Sequence, residues 1–480
     1  MMEKTEVEYL LDTETTDETL RYLPEYLYRY YLLKHESYRS FTNVRIADDI
    51  SNRSLLYRVI IPNNNEYVDV QVTAENPIKV KMNISGPSVS KKFLDNLYED
   101  LFLVVQLFEE EARKSTLYFA FAPGEKTVDE NSKNGLRIRL FSDSMVSLYV
   151  ALLGVTFLLF WFFGWYAPII FVFISFGLAL FSGKLLARGA DWIITEQQPE
   201  ILILQYRLSP EEKEAFRKDK KKIHAQIRKE LFHATLASDK PLTCETANSV
   251  FFKYGINCNQ ANFLIRRVNL YNIVRNVAEK FRLAIPKVVV TNSVIPNAAA
   301  AGPSAKLGTV IVTTGILTQL EDDELESVIA HEFSHLKARD PLVMSTLSSA
   351  EFLLRFYVFW PYLFTFGFFS FWAYLLLALS AVYFFGKFLE GRADLDAAKV
   401  IGKPKVMAEA LRKIGFRRLF PLYKREPEYR KYRVMEWLQL DPHPPIYFRV
   451  ERLDNLKEPE KIKSTFWRSI KDNLKGLKNS

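Results

Sequence analysis

Two long stretches without charge constrain this chain more than any other feature. Between Asp143 and Lys184 lie 40 residues with no Asp, Glu, Lys or Arg, and between Arg355 and Lys387 lie 31. A membrane-spanning helix takes about 20 apolar residues, so the first stretch is long enough for two crossings. Gly164-Trp165-Tyr166-Ala167-Pro168 lies at its centre, with Gly and Pro for a turn and two aromatics suited to an interface. One span plus a buried core helix is the weaker reading, because both halves can cross. The second stretch is too short for two spans and too long for one. Extended upstream to Pro341, it takes in Glu351 and Arg355, which stand four apart and can pair on one helical face. Spans near 342–364 and 367–387 follow, with Pro361 and Gly367 near the turn; a single tilted span is the alternative. The expectation is a four-helix transmembrane part built of two hairpins, 144–187 and 342–387.

The central turn of the first hairpin carries no Lys or Arg. Its flanks do: Lys133, Arg137 and Arg139 before it, Lys184 and Arg188 after it. The positive-inside rule then puts both flanks in the cytosol and the turn outside. Segments 1–140, 195–340 and 388–480 would share the cytosolic face of a plasma or inner membrane. A formal net charge of +8 fits basic residues collecting on that face. No platform of interleaved aromatic and basic residues argues for nucleic acid, so the bilayer is the expected partner and nucleic acid is not. Nothing resembling a secretory signal opens the chain. Cys244 and Cys258 are the only cysteines; two cysteines are no disulfide framework, which suits a reducing cytosol.

Residues 1–140 read as an α+β domain. The segments "SLLYRVIIP", "YVDVQVT" and "IKVKMNIS" alternate apolar and polar residues as half-buried strands do. The segments "ETLRYLPEYLYRYYLLKHESYRSF" and "SKKFLDNLYEDLFLVVQLFEEEARK" have helical spacing, and His35 on the first is an ordinary surface or packing residue. No catalytic set is visible there. Residues 195–285 read as helical and basic, with "RKDKKK" at 217–222 forming a solvated face or, secondarily, touching anionic headgroups. His224 and His233 have no carboxylate at metal-ligand spacing. Two strands, "PKVVVTN" and "TVIVTTG", precede the helix that carries the chemistry.

That helix holds His331-Glu332-Phe333-Ser334-His335. Two histidines four apart on a helix point to one face and can reach one tetrahedral zinc. Glu332 points about 100° away around the axis, too far to be a comfortable ligand but placed to take a proton from a bound water. HExxH is short and matches by chance, in which case both histidines merely cover a helix. Three features weigh against chance. The segment "EDDELESVIAHEFSHLKAR" is acidic at its start and basic at its end, with Pro341 beyond, as a macrodipole-matched helix should be. Glu390, in "LEGRADLDAAK", can supply a third ligand, and Asp394 one turn on can accept the other ring N–H of a ligating histidine. His335 and Glu390 can share one ion only if the chain between them crosses an even number of times, which favours a hairpin. Near the C-terminus, "LDPHPPIYFRVERL" places His443 in a proline-stiffened loop. A fixed donor there can stabilise an oxyanion, though the spacing alone favours a plain turn leading into a helix.

As a set, "IPNAAAAG", "VTTGIL", "HEFSH" with Asp340 five residues beyond His335, the late Glu390…Asp394 after an apolar hairpin, and "HPP" followed by Arg449 resemble the HtpX-type membrane zinc metallopeptidases. They are more distantly similar to the CAAX prenyl proteases. The resemblance covers roughly residues 265–455. It implies a mainly helical zincin-type domain with one Zn2+ per chain on His331, His335 and Glu390, and Glu332 as catalytic base. It further implies that Asn297, Ala298 and Ala299 line the substrate along an edge strand, and that His443 and Arg449 lie beside the substrate backbone. The chain departs from the family at Gly391, where an aromatic often follows the glutamate, and at Ala299, where Phe is frequent. Residues 1–140 and much of 195–260 have no counterpart in the short members.

The expected function is membrane-embedded zinc endopeptidase, acting on membrane or cytosol-exposed polypeptides in protein quality control. A prenyl-protein protease would enclose its site in a larger helical chamber. A non-catalytic metal-bound scaffold would have no need of Glu332. No feature of the sequence speaks to oligomeric state.

Overall fold

The alternating segments near the N-terminus form one antiparallel sheet. Its strands are Thr5–Leu11, Ser40–Asp48, Arg53–Ile60, Tyr67–Thr73 and Ile78–Ser85, in the spatial order first, fifth, fourth, third, second. In Tyr67–Thr73 every second residue is buried, which is the period of a strand with one face on a core. The helix Lys91–Lys114 begins where Ser90 Oγ accepts from Phe93 N at 3.2 Å, and Tyr98 stacks on Tyr9 with ring centroids 4.6 Å apart. The helical spacing expected through residues 18–41 is interrupted. Short helical pieces cover Asp17–Leu32, interrupted at Arg21–Tyr22 just before Pro24, which sits in the first turn of the second piece and cannot donate back to the preceding one, and Ser40–Asp48 is a strand. Phe41 is drawn into that strand by an aromatic cluster with Tyr31 and Tyr57.

The structure, a computed structural model, describes residues 5–33, 40–48, 52–61, 66–86, 89–122, 146–215, 220–360, 362, 367–423 and 429–479. His35, the flanking Lys133, Arg137 and Arg139, part of the basic run at 217–222, and Pro361 lie outside them. Two units divide the chain: residues 1–119 with 203–266, and residues 120–202 with 267–480. A three-stranded sheet sets Ile201–Arg207 between Thr116–Phe121 and Phe263–Val268, which is how 203–266 joins the first unit. His224 serves packing there, stacked on Phe119 at 4.5 Å and within 2.9 Å of Tyr118 O. Cys244 and Cys258 are joined in a disulfide. This corrects the expectation drawn from their number: the chain folds back over 14 residues and brings the two Cα atoms within 5.8 Å.

The second unit begins with helices α1 (Val146–Phe163) and α2 (Ala167–Gly189), which pack together around the turn Gly164–Tyr166. Strand β1 (Trp192–Ile194), helix α3 (Leu270–Phe281) and strands β2 (Lys287–Thr291), β3 (Ala298–Ala301) and β4 (Thr309–Thr313) follow. The sheet order is β3-β4-β2-β1, with β2 parallel to β4 and the other pairs antiparallel, so β3 is an edge. The sheet lies against the end of α2. Thr309 Oγ1 donates to Gly183 O at 2.9 Å, and a Cβ at Gly183 would stand 3.0 Å from Ala301 O. After the short helix Thr314–Gln319, helices α4 (Asp322–Ala338), α5 (Asp340–Leu354), α6 (Phe368–Ile401), α7 (Pro404–Tyr423), α8 (Tyr429–Leu438), α9 (Ile446–Asp454) and α10 (Thr465–Asn479) follow.

Three stretches among the described residues are long and apolar enough to cross a membrane: Gly154–Gly189, Asp340–Phe359 and Trp372–Ile401. Four were expected. The difference is in the first stretch, where helix runs through the tight turn at Gly164 without a loop and the 36 residues read as one. The second pair is a hairpin whose return helix α6 starts after Gly367, at φ +90°, and runs well past the apolar part. That overrun carries Glu390 and Asp394 back to the level of α4.

Candidate active site

Helix α4 is set for the site by its ends. Glu324 Oε2 accepts from Glu321 N at 2.8 Å, closing the first turn. At the other end Arg339 adopts φ +59°, and the left-handed turn starts α5 at once with Asp340. Leu325, Ile329, Phe333 and Leu336 bury one stripe of α4, which fixes its rotation. His331 and His335 then project toward α6.

The two Nε2 atoms stand 3.1 Å apart. Glu390 reaches in from α6, with Oε2 3.3 Å from His331 Nε2 and Oε1 3.3 Å from His335 Nε2. Ligands about 2.0–2.1 Å from one tetrahedral zinc stand roughly 3.3 Å from each other. The three donors therefore have the spacing of one shared ion. The tautomers agree. His335 Nδ1 donates to Asp340 Oδ2 at 2.6 Å, and His331 Nδ1 faces Asp394 Oδ1 at 3.0 Å. With both Nδ1 atoms turned toward the aspartates, the two Nε2 atoms converge on the site, and Glu390 Oε2 is buried without a hydrogen-bond partner. Such a donor set calls for a cation. Burial alone would lower both histidines' pKa, but Glu390 and the backing aspartates outweigh it and raise them, His335 well above its ordinary value.

Each backing aspartate is held by arginine. Asp340 takes Arg392 Nη1 at 3.0 Å and Nη2 at 2.6 Å. Asp394, fully buried, takes Arg449 Nη2 at 2.7 Å and Nε at 3.0 Å, and Arg452 Nη2 at 2.8 Å. With Glu332, Glu390 and Asp396, whose Oδ2 lies 3.5 Å from Arg392 Nε, five carboxylates face three guanidinium groups, and the excess of negative charge suits a divalent ion. The neighbouring Asp394 raises the pKa of Arg449 in spite of its burial.

Glu332 leaves the shared histidine face. Its Oε2 accepts from Ala300 N, in edge strand β3, at 2.7 Å. Asn297 O accepts from Thr313 N, and Asn297 N donates to Thr313 Oγ1 at 2.9 Å, so Asn297 is turned toward β4. By alternation Ala299 is too, while Ala298 and Ala300 direct their backbone groups away from the sheet. Arg449 is 7% exposed and lies behind Asp394, with Nη1 4.0 Å from Glu390 Oε2. His443 is at the mouth, with Nδ1 2.8 Å from Asp441 Oδ1 and Nε2 3.7 Å from Glu390 Oε2. That bond holds the Asp441 carboxyl below its usual range against the effect of burial.

Several functional neighbours were not singled out from the sequence. Arg392 was legible only as a charge two residues past Glu390, and Arg452 as one of two arginines in "FRVER". Asp441, two residues before His443, was a usable signal. In the sequence Lys387 marks the end of an uncharged run. It is buried, and its Nζ donates to the carbonyls of Gln439, Asp441 and His443, tying the His443 loop to α6.

Comparison with known proteins agrees with this site. The sequence profile of peptidase family M48 matches residues 265–457. A "Protease HtpX homolog" from Thermodesulfovibrio yellowstonii is 36% identical over 164 residues, covering 31% of this chain and 58% of the relative. One from Methanothermobacter thermautotrophicus is 35% identical over 166 residues, or 33% of this chain and 63% of the relative. One from Thermococcus sibiricus is 32% identical over 216 residues, or 39% of this chain and 74% of the relative. The chain thus spans about three fifths of the first two relatives, and its N-terminal region lies outside the match. With His331, His335 and Glu390 arranged as a metal site within the matched region, the chain belongs to the zinc metallopeptidases of family M48.

Proposed function

We propose that this protein is a membrane-embedded zinc-dependent endopeptidase. The observation that carries the reading is the convergence of two imidazole nitrogens 3.1 Å apart and the Glu390 carboxylate, with one oxygen 3.3 Å from each, beside a second carboxylate, Glu332, held on the edge strand. A zinc ion on His331, His335 and Glu390 would supply Lewis acidity and a water made acidic enough to lose a proton near neutral pH. Glu332 would serve as the general base that accepts a proton from the attacking water on its carboxylate and passes it to the departing amine. Substrate adds to β3 as a further strand, with Ala298 offering its outward N–H and C=O, and Asn297 and Ala299 completing the rim. Backbone pairing of this kind tolerates many side chains, which suits misfolded membrane or cytosol-exposed chains and a role in quality control. His443 has Nδ1 committed to Asp441, so its Nε2, when protonated, donates to the oxyanion. Arg449 acts from behind, keeping Asp394 ionised against His331.

In this reading α1 and α2 are two spans, since Gly164 turns the chain with φ +52° and the helices pack on each other. With the α5–α6 hairpin that makes four, and the zinc site lies at the cytosolic surface of a plasma or inner membrane. The N-terminal unit recruits or gates substrate. The deciding experiment uses purified protein: zinc stoichiometry beside cleavage of a peptide, with and without chelator, for the parent and for Glu332→Gln. Zinc bound at one per chain with no chelator-sensitive cleavage would reject the reading.

A further inference from the structure

The described side chains of helix α8, from Arg433 on, are arranged the wrong way round for a helix in water. Arg433, half-buried Glu436 and fully buried Trp437 fall on the side turned to the protein. Val434, Met435 and Leu438 lie within about 100° of each other on the opposite side. They are 37%, 59% and 65% exposed, and Leu440 just beyond the helix is 46% exposed. Arg433 spends its charge over the Tyr447 ring at 4.5 Å. Burying charges while presenting Met and Leu costs stability in water and is the ordinary arrangement against lipid.

The position of the patch says what covers it. Trp437 packs on Phe384 at 6.5 Å between ring centroids, and Phe384 belongs to the candidate span Trp372–Ile401. Pro442 is pressed on Gly386, where an added Cβ would stand 2.9 Å from it. The apolar tip therefore continues the apolar surface of α6 at the end of its uncharged run, one residue short of Lys387. Lys387 in turn holds the carbonyls of 439, 441 and 443.

We propose that Val434, Met435, Leu438 and Leu440 are seated in the interfacial layer of the bilayer beside α6, and that through Lys387 this seat sets the height of His443 over Glu390. The proposal rests on α6 spanning the membrane. Its occupant is phospholipid, and a polypeptide substrate on the same patch is the competing outcome.

The test is spin-label accessibility in phospholipid nanodiscs, using the full chain with single cysteines at Leu438 and Leu440. Cys244 and Cys258, being bonded, give no background. Leu377→Cys on the exposed side of α6 is the lipid reference and Lys457→Cys the aqueous one. At 438 and 440 the label should show the oxygen-rich, nickel-poor accessibility of lipid, intermediate between the references. If 438 and 440 read as aqueous while 377 reads as lipid, the proposal is overturned and the spanning reading stands. If 377 also reads as aqueous, both fall. An aqueous label at 438 that becomes shielded on adding peptide assigns the patch to substrate and also overturns the proposal. The second arm is Leu438→Glu with Leu440→Glu, at parental zinc content. In nanodiscs kcat should fall several-fold with KM little changed. Unchanged kcat, or a rise in KM alone, would overturn the link to His443.

Discussion

Ala300 N donates to Glu332 Oε2 at 2.7 Å, so in our proposal one strand both seats the substrate and holds the base. The bond aims the carboxylate away from the two histidines and toward the open side of the site. It also occupies the outward N–H of Ala300, which leaves Ala298 as the residue of β3 with both an outward N–H and an outward C=O for a partner strand.

Replacing Glu332 by Gln preserves shape and removes the base. Cleavage should fall roughly 10²–10⁴-fold, the usual worth of a positioned general base. Zinc content should stay parental, because no ligand is touched. Loss of zinc measured by metal analysis would instead place Glu332 on the ion.

Proline distinguishes the two faces of β3. Ala298→Pro removes an outward donor on an edge, where proline is tolerated. It should raise KM for a peptide and leave the melting temperature near that of the parent. Ala299→Pro removes a donor to β4 and should lower the melting temperature. Equal effects of the two on melting would show that the register of β3 has been misassigned.

The aspartates behind the ligands should govern metal affinity. Asp340→Asn leaves His335 with a weaker acceptor and Arg392 with Asp396, at 3.5 Å, as its remaining counter-charge. A drop of about 10–100-fold in zinc affinity is expected, read by competition with a chromogenic chelator. Parental affinity would mean that Asp340 only caps α5.

Glu324 and Lys413 form a buried pair 2.8 Å apart between α4 and α7, and burial raises the Glu324 pKa although Lys413 opposes it. Lys413→Met alone should destabilise the protein by about 3–5 kcal/mol, since it strands a buried carboxylate. Glu324→Leu with Lys413→Met should recover most of that loss. A double variant no better than the single one would mean the pair does more than balance charge.

Sidedness can be read in intact cells with a membrane-impermeant maleimide. Trp165→Cys, at the exposed turn between α1 and α2, should react from outside. Lys457→Cys should react only after the membrane is opened. External labelling of Lys457→Cys would break the cytosolic placement of the zinc site.

Much of this protein is local in origin and was open to reading from the chain alone. The apolar runs are set by what a bilayer excludes, and the turn at Gly164 was visible from its residues. The strands 53–60, 67–73 and 78–85 follow from period-two alternation, and α4 from its capped, charge-matched ends. The presentation of His331 and His335 on one face is a consequence of 3.6 residues per turn. What tertiary structure alone decided is which distant groups meet. The overrun of α6 brings Glu390 to α4, the left-handed turn at Arg339 swings Asp340 under His335, and Arg392, Arg449 and Arg452 converge from two helices to balance buried acid. The union of Cys244 with Cys258, the departure of 203–266 to the N-terminal unit, and the strand at 40–48 in place of helix also depend on partners far along the chain. Sequence spacing encodes the direction in which a side chain leaves its own element. It does not encode what stands opposite, because that is settled by packing and charge balance summed over the whole unit.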